Sequence, residues 1–557
     1  MKIKNPEKRK ELLIKILAFS IIFVVWQRVV VKPIADRMRE KNNGIVDFTK
    51  DSGEETAEAE EVEDLGKNFT LENDFLKLTV NSRGLKLDDL ELKKYRRSTD
   101  DDGFVKLLNS EKKNYYYIKT SWLSSDRSIE LPSENTPWKF DEMASGSDKL
   151  IFTFVNGQKI TFTVTLFFDD KYLLTIQQSV QNNSLKSASL RPVVEIIKFD
   201  NADRGDAGIY NGGIGVFDKN EAKEIKTAKL KNRSAKYDKF RWAGFTSKYW
   251  LTAIVNKNLD DGKINFLKTG RDLRAQHTVK NNIIASSGDR AEYQVEIFLG
   301  AKDRNILWEY ETKNGFLLFH RSVDYGLFSF ITKPMSALLN FLFSLGGDFG
   351  LAVILLTLIV KIVLYPSTKK TAISMFKMKL AQPKIKEIQQ KYKDDKPTMQ
   401  RELLKTYKTY GINPLGSLTP FFIQIPIFLS LYKVLNISLE MRQANFFFFA
   451  RDLSAADPSN IFNLCGLLPF NPPIRIGVLP FLMALTTFLQ QKFLGEHDQG
   501  QNDEMKTALS ISKWMPLLLL FMFYGLPSGL LLYWVLNNII TIVQQIYIEK
   551  KYCKQVH

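Results

Sequence analysis

One apolar stretch, FGLAVILLTLIVKIVLYP at 349–366, constrains this chain more than any other feature. Crossing the ~30 Å hydrocarbon core of a bilayer takes about 20 mostly apolar residues, so the stretch predicts a membrane-spanning helix. It contains one charge, Lys361, roughly 18 Å from its start. Thr357 and Tyr365 lie four residues either side of Lys361 and therefore share its helix face. Lys361 either extends its amine to the nearer membrane surface or faces a wet cavity between helices.

Composition narrows the classes of function. The chain has 557 residues, a formal net charge of +17 and 45% hydrophobic residues, and its length suggests several domains. The two cysteines form no CxxC pair, and the four histidines are scattered without metal-ligand spacing. The sequence has no phosphate-binding loop, no serine-hydrolase elbow and no HExxH motif. We therefore expect no cofactor, no metal site and no enzymatic activity.

The N-terminal segment predicts an anchored, loosely tethered outer domain. A basic tail at 1–11 precedes an apolar run at 12–31 that lacks the short core and small-residue cleavage site of a secretory signal. This run predicts an uncleaved first transmembrane helix with its basic end inside. Residues 32–66 include the acidic run DSGEETAEAEEVED, which cannot bury enough apolar area to fold. This segment is therefore predicted to be a flexible tether.

A period-two pattern dominates the next 240 residues or so. Segments such as KITFTVTLFF (159–168) and KYLLTIQQSV (171–180) alternate apolar residues with Thr, Lys or Gln, as half-buried strands do. Turn residues separate them. We therefore predict that 67–313 forms one large antiparallel β-sandwich outside the membrane, because long loops are translocated largely regardless of their charge.

Residues 325–343 predict an amphipathic helix lying in the plane of the membrane interface. A helix packed on the β-sandwich is the alternative. The predicted apolar side comprises Leu327, Phe330, Ile331, Pro334, Leu338, Phe341 and Leu342, and the predicted polar side comprises Ser329, Lys333, Ser336 and Asn340.

The segment after Pro366 is strongly basic, with twelve Lys or Arg against four Asp or Glu between Lys369 and Lys408. Two sets of apolar residues at helical spacing lie on either side of DDKP. Residues 369–410 are therefore predicted to form a helical hairpin, and the positive-inside rule places it in the cytoplasm. The remaining predicted segments are a span at 415–435, an outer loop at 436–473, a span at 474–491, a cytoplasmic loop at 492–513, spans at 514–526 and 529–548, and a basic cytoplasmic tail at 549–557.

This topology gives six spans with both termini inside and accounts for much of the positive charge. The predicted fold class is an α + β membrane protein, with six transmembrane helices and a large antiparallel β-sandwich outside the membrane. Anionic lipid is an expected partner, and no direct nucleic-acid specificity is predicted.

Polar residues recur at helical spacing inside the other predicted spans. The third span contains Gln424, the fourth contains Met483, Thr487, Gln490 and Gln491, and the sixth contains Tyr533, Asn537, Thr541, Gln544 and Gln545. Each uncharged residue could simply bond a neighbouring helix. Because they share one side of the predicted bundle with a lysine, they favour a common hydrophilic recess.

Several motifs then occur in a characteristic order: VKIVLYPSTKK, KMKLAQPKIKEIQQKY, GINPLG, FIQIPIFLSLY, RQANFF, RDLSAADP and LPSGLLLYW. They resemble the YidC family, the membrane protein insertases of Gram-negative bacteria. The resemblance is specific over about 324–551 and looser over the anchor and the β domain. It implies a five-helix core with a groove open to cytoplasm and lipid but closed toward the outside, a periplasmic β domain and a location in the inner membrane.

The resemblance also implies site residues. Lys361 occupies the position of a groove residue that is usually arginine, which keeps the charge but loses the guanidinium fork. The matching groove positions are Thr357, Gln424, Phe428, Met483, Met522, Tyr533 and Trp534, to which the polar stripe of the sixth span adds Asn537. Trp534 replaces a common tyrosine, and the match at Met483 crosses an insertion near 461–473.

The function implied by the family is insertion of nascent transmembrane segments, alone or with the Sec translocon. The basic hairpin, with Lys377, Lys384, Lys386 and Lys391, is expected to meet the ribosome or targeting factors. Two other classes stay open: a secondary transporter that uses the intramembrane lysine, and a membrane-anchored carbohydrate-binding or scaffold protein. The first would usually show internal repeats, which we do not find, and the second would depend on the β domain alone.

Overall fold

The computed structural model describes residues 66–97, 103–110, 114–146, 148–200, 210–217, 221–226, 230, 234–393, 395–412, 419–442, 444, 452–462, 476–495 and 514–556. The predicted tail, anchor and tether lie outside this range up to residue 65, and so does the predicted loop from 496 to 513. The chain divides into two compact units, Met1–Asp324 and Tyr325–His557. Each unit is described by itself.

The first unit is built from strands. Its nineteen strands within the described residues are β1 Asn68–Glu72, β2 Leu76–Asn81, β3 Leu87–Arg96, β4 Phe104–Leu108, β5 Tyr116–Ser124, β6 Lys139–Phe140, β7 Lys149–Val155, β8 Ile160–Phe168, β9 Leu173–Asn182, β10 Ala188–Phe199, β11 Gly212–Phe217, β12 Ala222–Ile225, β13 Ser234–Tyr237, β14 Phe240–Thr246, β15 Trp250–Val255, β16 Gly262–Thr269, β17 Asp272–Val279, β18 Ile283–Ala285 and β19 Arg290–Ala301.

These strands form two antiparallel sheets. The ten-stranded sheet has the order β1-β2-β3-β5-β10-β17-β16-β13, with β4 paired to β3 and β18 paired to β10. The nine-stranded sheet has the order β12-β11-β14-β15-β19-β9-β8-β7-β6. Neighbours along the chain often pair directly, as in the β7–β8–β9 meander, whereas β10 and β19 are each flanked by strands distant in sequence.

The alternation in the sequence explains why these segments pair. In β8 the side chains of Ile160, Phe162, Val164 and Leu166 are buried, and the threonines between them are half-buried on the other face. Phe162 meets Trp122 of the ten-stranded sheet edge to face, with ring centroids 5.6 Å apart. The prediction of an antiparallel β-rich domain is thus confirmed.

The predicted sandwich range of 67–313 is too long at its C-terminal end. The last strand stops at Ala301, and Arg304–Lys313 is a helix, α1, followed by a 3₁₀ turn at Phe319–Ser322. Asp303 begins α1, because its side chain accepts hydrogen bonds from two backbone N–H groups of the first turn.

α1 and the connector after it are fixed to the nine-stranded sheet. The connector includes Leu317 and the turn Phe319–Ser322. The Tyr310 hydroxyl donates to Asp169 Oδ2 at 2.6 Å and accepts from the backbone N–H of Tyr172 at 3.0 Å. Farther along, the indole N–H of Trp242 donates to the carbonyl oxygen of Leu317 at 3.0 Å. The β unit therefore includes the connector as part of its own hydrophobic core.

His277 is a fully buried titratable group between the two sheets. Its Nδ1 lies 3.2 Å from the carbonyl oxygen of Lys263, and its Nε2 lies 3.0 Å from the hydroxyl of Tyr293. Because a carbonyl can only accept, Nδ1 carries the proton and Nε2 accepts from Tyr293. Burial lowers the pKa of His277 from 6.5 to about 4.

This burial predicts that the β unit is acid-sensitive. Between pH 6.5 and 4 the unfolded chain protonates His277 while the folded unit does not, so the free energy of unfolding falls as the pH falls. The loss amounts to about 3 kcal/mol when 1.36 kcal/mol is taken per pKa unit. Chemical unfolding of the unit at several pH values measures it. His277→Gln should be less stable at pH 7 but show a shallower pH slope, and an unchanged slope would contradict the assignment.

The second unit is helical. Its helices in the described residues are α2 Ser329–Gly346, α3 Phe349–Lys391, α4 Lys396–Tyr410, α5 Thr419–Ile437, α6 Val478–Gly495, α7 Trp514–Phe523 and α8 Ser528–Val556. Two helical segments there, Phe349–Lys391 and Ser528–Lys551, are long and apolar enough to cross a membrane, and Phe422–Ile437 and Trp514–Phe523 are shorter apolar helices.

The helix that begins at Phe349 does not end at Pro366. It continues for 43 residues to Lys391, so the predicted span and the first arm of the predicted hairpin are one helix. A proline removes only one backbone hydrogen bond from the helical ladder, and nearby the Thr368 hydroxyl donates to the carbonyl oxygen of Leu364 at 3.2 Å. Within a long helix whose other bonds are intact, this local loss does not end the helix.

The burial of α2 differs from the predicted division into apolar and polar sides. α2 packs against α3 and α5 through Thr332, Met335, Ser336, Leu339 and Leu342. Ser336, predicted on the polar side, is buried because small residues at (i, i+4) spacing allow helices to approach closely. The predicted apolar residues Phe330 and Phe341 are exposed, as side chains on a helix face turned toward lipid would be.

Other predicted boundaries shift as well, since α5 ends at Ile437 rather than at 435 and α6 ends at Gly495 rather than at 491. The helix predicted at 514–526 stops at Phe523, where a turn leads into Pro527 and then α8. α8 itself extends past the predicted end at residue 548 to Val556. The residue before a proline disfavours helical backbone, which agrees with the non-helical Leu526 before Pro527.

Candidate functional site

Lys361 lies on α3 and is only 8% exposed. Its ammonium donates to the hydroxyl oxygen of Thr541 on α8 at 2.6 Å. Within the described part of the chain no carboxylate forms an ion pair with Lys361, and no cluster of three or more His, Cys, Asp or Glu could hold a metal ion. The structure therefore places an isolated cation against a polar helix face.

That helix face presents oxygen atoms. The Thr541 hydroxyl donates to the carbonyl oxygen of Asn537 at 2.6 Å, one turn earlier. Asn537 Oδ1 and Gln544 Oε1 are buried and have no hydrogen-bond partner among the described residues. All three side chains share one face of α8 by their spacing. The stripe predicted on the sixth span thus meets the predicted lysine.

Gln424 and Tyr533 are also brought together. The Gln424 side-chain amide on α5 donates to the Tyr533 hydroxyl on α8 at 3.0 Å. Beside this bond, Phe428 packs edge to face on Trp534 with ring centroids 5.0 Å apart, and Phe523 at the end of α7 lies 5.1 Å from Trp534. One polar contact and one aromatic cluster thus join α5 to α7 and α8.

Asn538 is a buried polar residue that the sequence analysis missed. It is 2% exposed, and its side-chain amide donates to the hydroxyls of Thr486 at 3.2 Å and Thr487 at 3.0 Å on α6. Both threonines in turn donate to the carbonyl oxygen of Met483. Asn538 was overlooked because it lies about 100° from Asn537 around the helix. The sequence signal that could point to Asn538 is the pair of adjacent threonines on α6, which it contacts in the structure.

The other predicted groove residues lie apart from this contact network. Thr357 is fully buried, and its hydroxyl donates to the carbonyl oxygen of Val353 on its own helix at 2.7 Å. Met483 is fully buried beneath the threonines of α6. Met522, near the end of α7, is half-buried. The structure therefore gives these three residues packing positions rather than polar contacts with Lys361.

The hairpin lysines are not equivalent. Lys384, Lys386 and Lys391 are exposed on α3, and Lys384 pairs with Glu387 at 2.9 Å. Lys377 is half-buried, and its ammonium lies close to Gly411, where α4 ends. A cation at a helix C-terminus stabilises the helix, so Lys377 has a structural contact that the other three lack.

A second contact joins the hairpin arm of α3 to α8. Lys379 and Glu549 form an ion pair of 3.0 Å, and the Gln545 side-chain amide lies 3.5 Å from Met375 Sδ. Ala372, Phe376 and Phe493 line a small pocket beside them together with these four residues.

Comparisons with known proteins identify the family. The family model described as "60Kd inner membrane protein" matches residues 341–555, and the model "YidC periplasmic domain" matches residues 68–338. A membrane protein insertase YidC from Rickettsia conorii is 35% identical over 556 residues, covering 96% of this chain and 98% of that protein. The chain belongs to the YidC family. A YidC insertase from Rickettsia felis is 36% identical over 554 residues, with the same coverage of both chains.

A solved structure described as an active YidC insertase with its first transmembrane domain resolved also matches. It covers 86% of this chain and 92% of that chain at 18% identity, with a TM-score of 0.36.

Membership of the YidC family confirms several predictions. The chain is a membrane protein insertase of the inner membrane, it is not an enzyme, and it has a periplasmic domain rich in antiparallel strands. The transporter and the carbohydrate-binding or scaffold protein are not favoured. The groove residues, the number of spans and the partners beyond nascent membrane proteins remain predictions.

Proposed function

We propose that this insertase moves nascent transmembrane segments from the cytoplasm into the inner membrane through a groove between α3, α5, α6, α7 and α8. The groove is hydrophilic, open to the cytoplasm and to lipid, and closed toward the periplasm. The observation that carries the proposal is the Lys361 ammonium, which is buried yet bonded to the Thr541 hydroxyl rather than to a carboxylate.

An uncompensated cation in a membrane bundle is costly and usually marks a functional pathway. A nascent segment has apolar residues that favour lipid and a polar, often acidic, flank that does not. The groove lowers the cost of moving this flank partway, and Lys361 attracts its negative charge. The apolar segment then leaves between the third and fifth spans into the bilayer, where burial of apolar surface supplies the driving force. No nucleotide is consumed.

The groove residues act in two groups in this proposal. Lys361 and Asn537 form the polar lining and Thr357 lies buried behind it, whereas Gln424 and Tyr533 join α5 to α8 where the segment leaves. The leaving segment contacts the half-buried side chains Phe428, Met522 and Trp534, and the fully buried Met483 supports the groove by packing.

We place six spans in the membrane, with both termini in the cytoplasm. Exposed apolar side chains cover the outer faces of α3 and α8, including Ile362 and Val363 at 71% and 70% exposure and Val543 at 61%. Such surfaces are expected to face lipid. α2 lies in the periplasmic interface, where its exposed Phe330 and Phe341 enter the acyl boundary.

We assign the hairpin to partner recognition on the cytoplasmic side. Its exposed lysines attract the ribosome, targeting factors and anionic lipid, and the Sec translocon joins on some clients. A topology signal alone is the simpler alternative, but topology needs fewer positive charges than this segment has.

Replacing Lys384, Lys386 and Lys391 with Gln is expected to weaken ribosome association severalfold, because long-range attraction screened over ~8 Å at physiological salt is lost. Binding of ribosomes to the purified insertase, measured at two salt concentrations, checks this. Lys377→Gln is tested separately because of its contact at Gly411.

The matched control replaces three exposed lysines of the β domain, Lys77, Lys139 and Lys149, with Gln. Cysteine labelling from each side of the membrane verifies that the spans keep their orientation. Unchanged ribosome binding together with unchanged insertion would leave the hairpin as a topology signal only.

The direct test of the proposed function uses purified protein in liposomes and a ribosome-made client with a single span. Insertion without nucleotide hydrolysis by the protein, and without other proteins in the bilayer, is expected. Failure of this chain to insert any client in that system, while a YidC relative succeeds, would refute autonomous insertion.

A further inference from the structure

We propose that Thr541 is a positioning residue that holds the Lys361 ammonium inside the groove with donors free for a client carboxylate. The proposal rests on the groove described above and specifies how its charge is presented. It concerns a residue on α8 that acts through Lys361 and does not itself need to touch the client.

The first step is the orientation of the hydroxyl. Thr541 Oγ1 lies 2.6 Å from the carbonyl oxygen of Asn537 and 2.6 Å from Lys361 Nζ. A carbonyl cannot donate, so the single hydroxyl hydrogen of Thr541 is directed at Asn537. The oxygen lone pairs are then left for the ammonium, and Thr541 acts toward Lys361 as an acceptor of fixed direction.

The second step is the surroundings of the ammonium. Asn537 Oδ1 and Gln544 Oε1 are buried acceptors without partners among the described residues, and they lie about one turn either side of Thr541 on the same face of α8. An ammonium has three donors in a compact arrangement. In the part of the chain that the structure describes, Thr541 is the one acceptor bonded to Lys361, so the face offers more acceptors than the resting lysine uses.

The third step is what happens without the anchor. A lysine on a membrane helix bends its long side chain toward the nearest interface, where water solvates the ammonium. The bond to Thr541 opposes this movement and keeps the ammonium at the depth of Thr541 within the bundle. Because one N–H group is bonded to Thr541 and two are left uncommitted among the described residues, the held ammonium can still donate hydrogen bonds to an acidic client group.

The test compares two clients that differ only in flank charge, one with Asp and Glu and one with Asn and Gln. Insertase with Thr541→Val, which has nearly the same shape without the hydroxyl, should insert the acidic client about fivefold more slowly at limiting insertase. Fivefold corresponds to about 1 kcal/mol at 1.4 kcal/mol per factor of ten, which is the usual net contribution of one hydrogen bond. The neutral client should be inserted within about twofold of the wild-type rate. Thr541→Ser should restore the acidic client.

Two further variants keep the result interpretable. Thr368→Val removes a hydroxyl that bonds only the carbonyl oxygen of Leu364 on its own helix, and it should affect neither client. In a Lys361→Ala background, Thr541→Val should add no further loss, because the anchored group is gone. Thr541→Ala replaces the valine variant if the latter does not accumulate.

The outcomes separate the positioning role from the groove itself. Equal losses for the two clients, or no rescue by serine, would show a purely structural threonine and overturn the proposal. A normal rate for Thr541→Val beside a slow Lys361→Ala would overturn the anchor and leave the groove charge intact. A normal rate for Lys361→Ala would overturn both.

Discussion

Lys361→Ala is expected to slow the insertion of clients with acidic outer flanks by about tenfold to a hundredfold, and Lys361→Arg is expected to retain insertion. The alanine variant loses an ionic hydrogen bond of about 1.5–3 kcal/mol to the flank, and each 1.4 kcal/mol corresponds to tenfold. Arginine keeps the charge, although its planar fork differs from the compact ammonium. Initial rates in liposomes at matched protein levels measure the effect.

The control is the same client with a neutral flank, which both variants should insert nearly as well as the wild type. Equal rates for wild type and Lys361→Ala across several acidic clients would remove the groove charge from the mechanism. Such a result would leave the apolar exit path as the remaining contribution of the protein.

Trp242→Ala is expected to destabilise the periplasmic unit by about 3–5 kcal/mol, the usual cost of truncating a buried aromatic side chain. Trp242 is fully buried, its ring lies 5.3 Å from that of Phe319, and its indole N–H bonds the Leu317 carbonyl. The variant therefore loses core packing and also leaves the connector carbonyl unpaired. Chemical unfolding of residues 68–324 alone measures the change.

Trp242→Phe provides the comparison, because it keeps most of the apolar contact and loses only the hydrogen bond, at about 1 kcal/mol. Insertion by the full chain should stay within about twofold for both variants, since the groove lies in the other unit. A strong insertion defect with a folded periplasmic unit would show that the connector takes part in insertion.

Much of the fold could be predicted because its patterns are local. Strict alternation in β8 and long apolar runs such as that of α3 each determine the type of element. The predictions are wrong where contacts between residues distant in sequence determine the secondary structure. The sequence pattern does not separate α1 from the strand region, because the contacts that hold α1, such as Tyr310 on Asp169, join residues far apart in sequence.

The candidate site was predicted as a set of polar residues on several helices but not as pairs. Helical spacing shows which residues of one helix share a face, but not which face of the next helix they meet. The bonds from Lys361 to Thr541 and from Gln424 to Tyr533 depend on the rotation of the packed helices. Asn538 was missed for the same reason, since only its neighbours on α6 distinguish it from Asn537.

The continuity of α3 has a mechanical consequence. The 26 residues from Pro366 to Lys391 form an arm of about 38 Å, at 1.5 Å per residue. A bend of about 10° at Pro366, a natural site for helix bending, would move the tip by roughly 7 Å. Lys361 lies five residues on the other side of this hinge and would hardly move. The ion pair of Lys379 with Glu549 would carry the C-terminal end of α8 along with the arm, while Lys361 keeps its place in the groove.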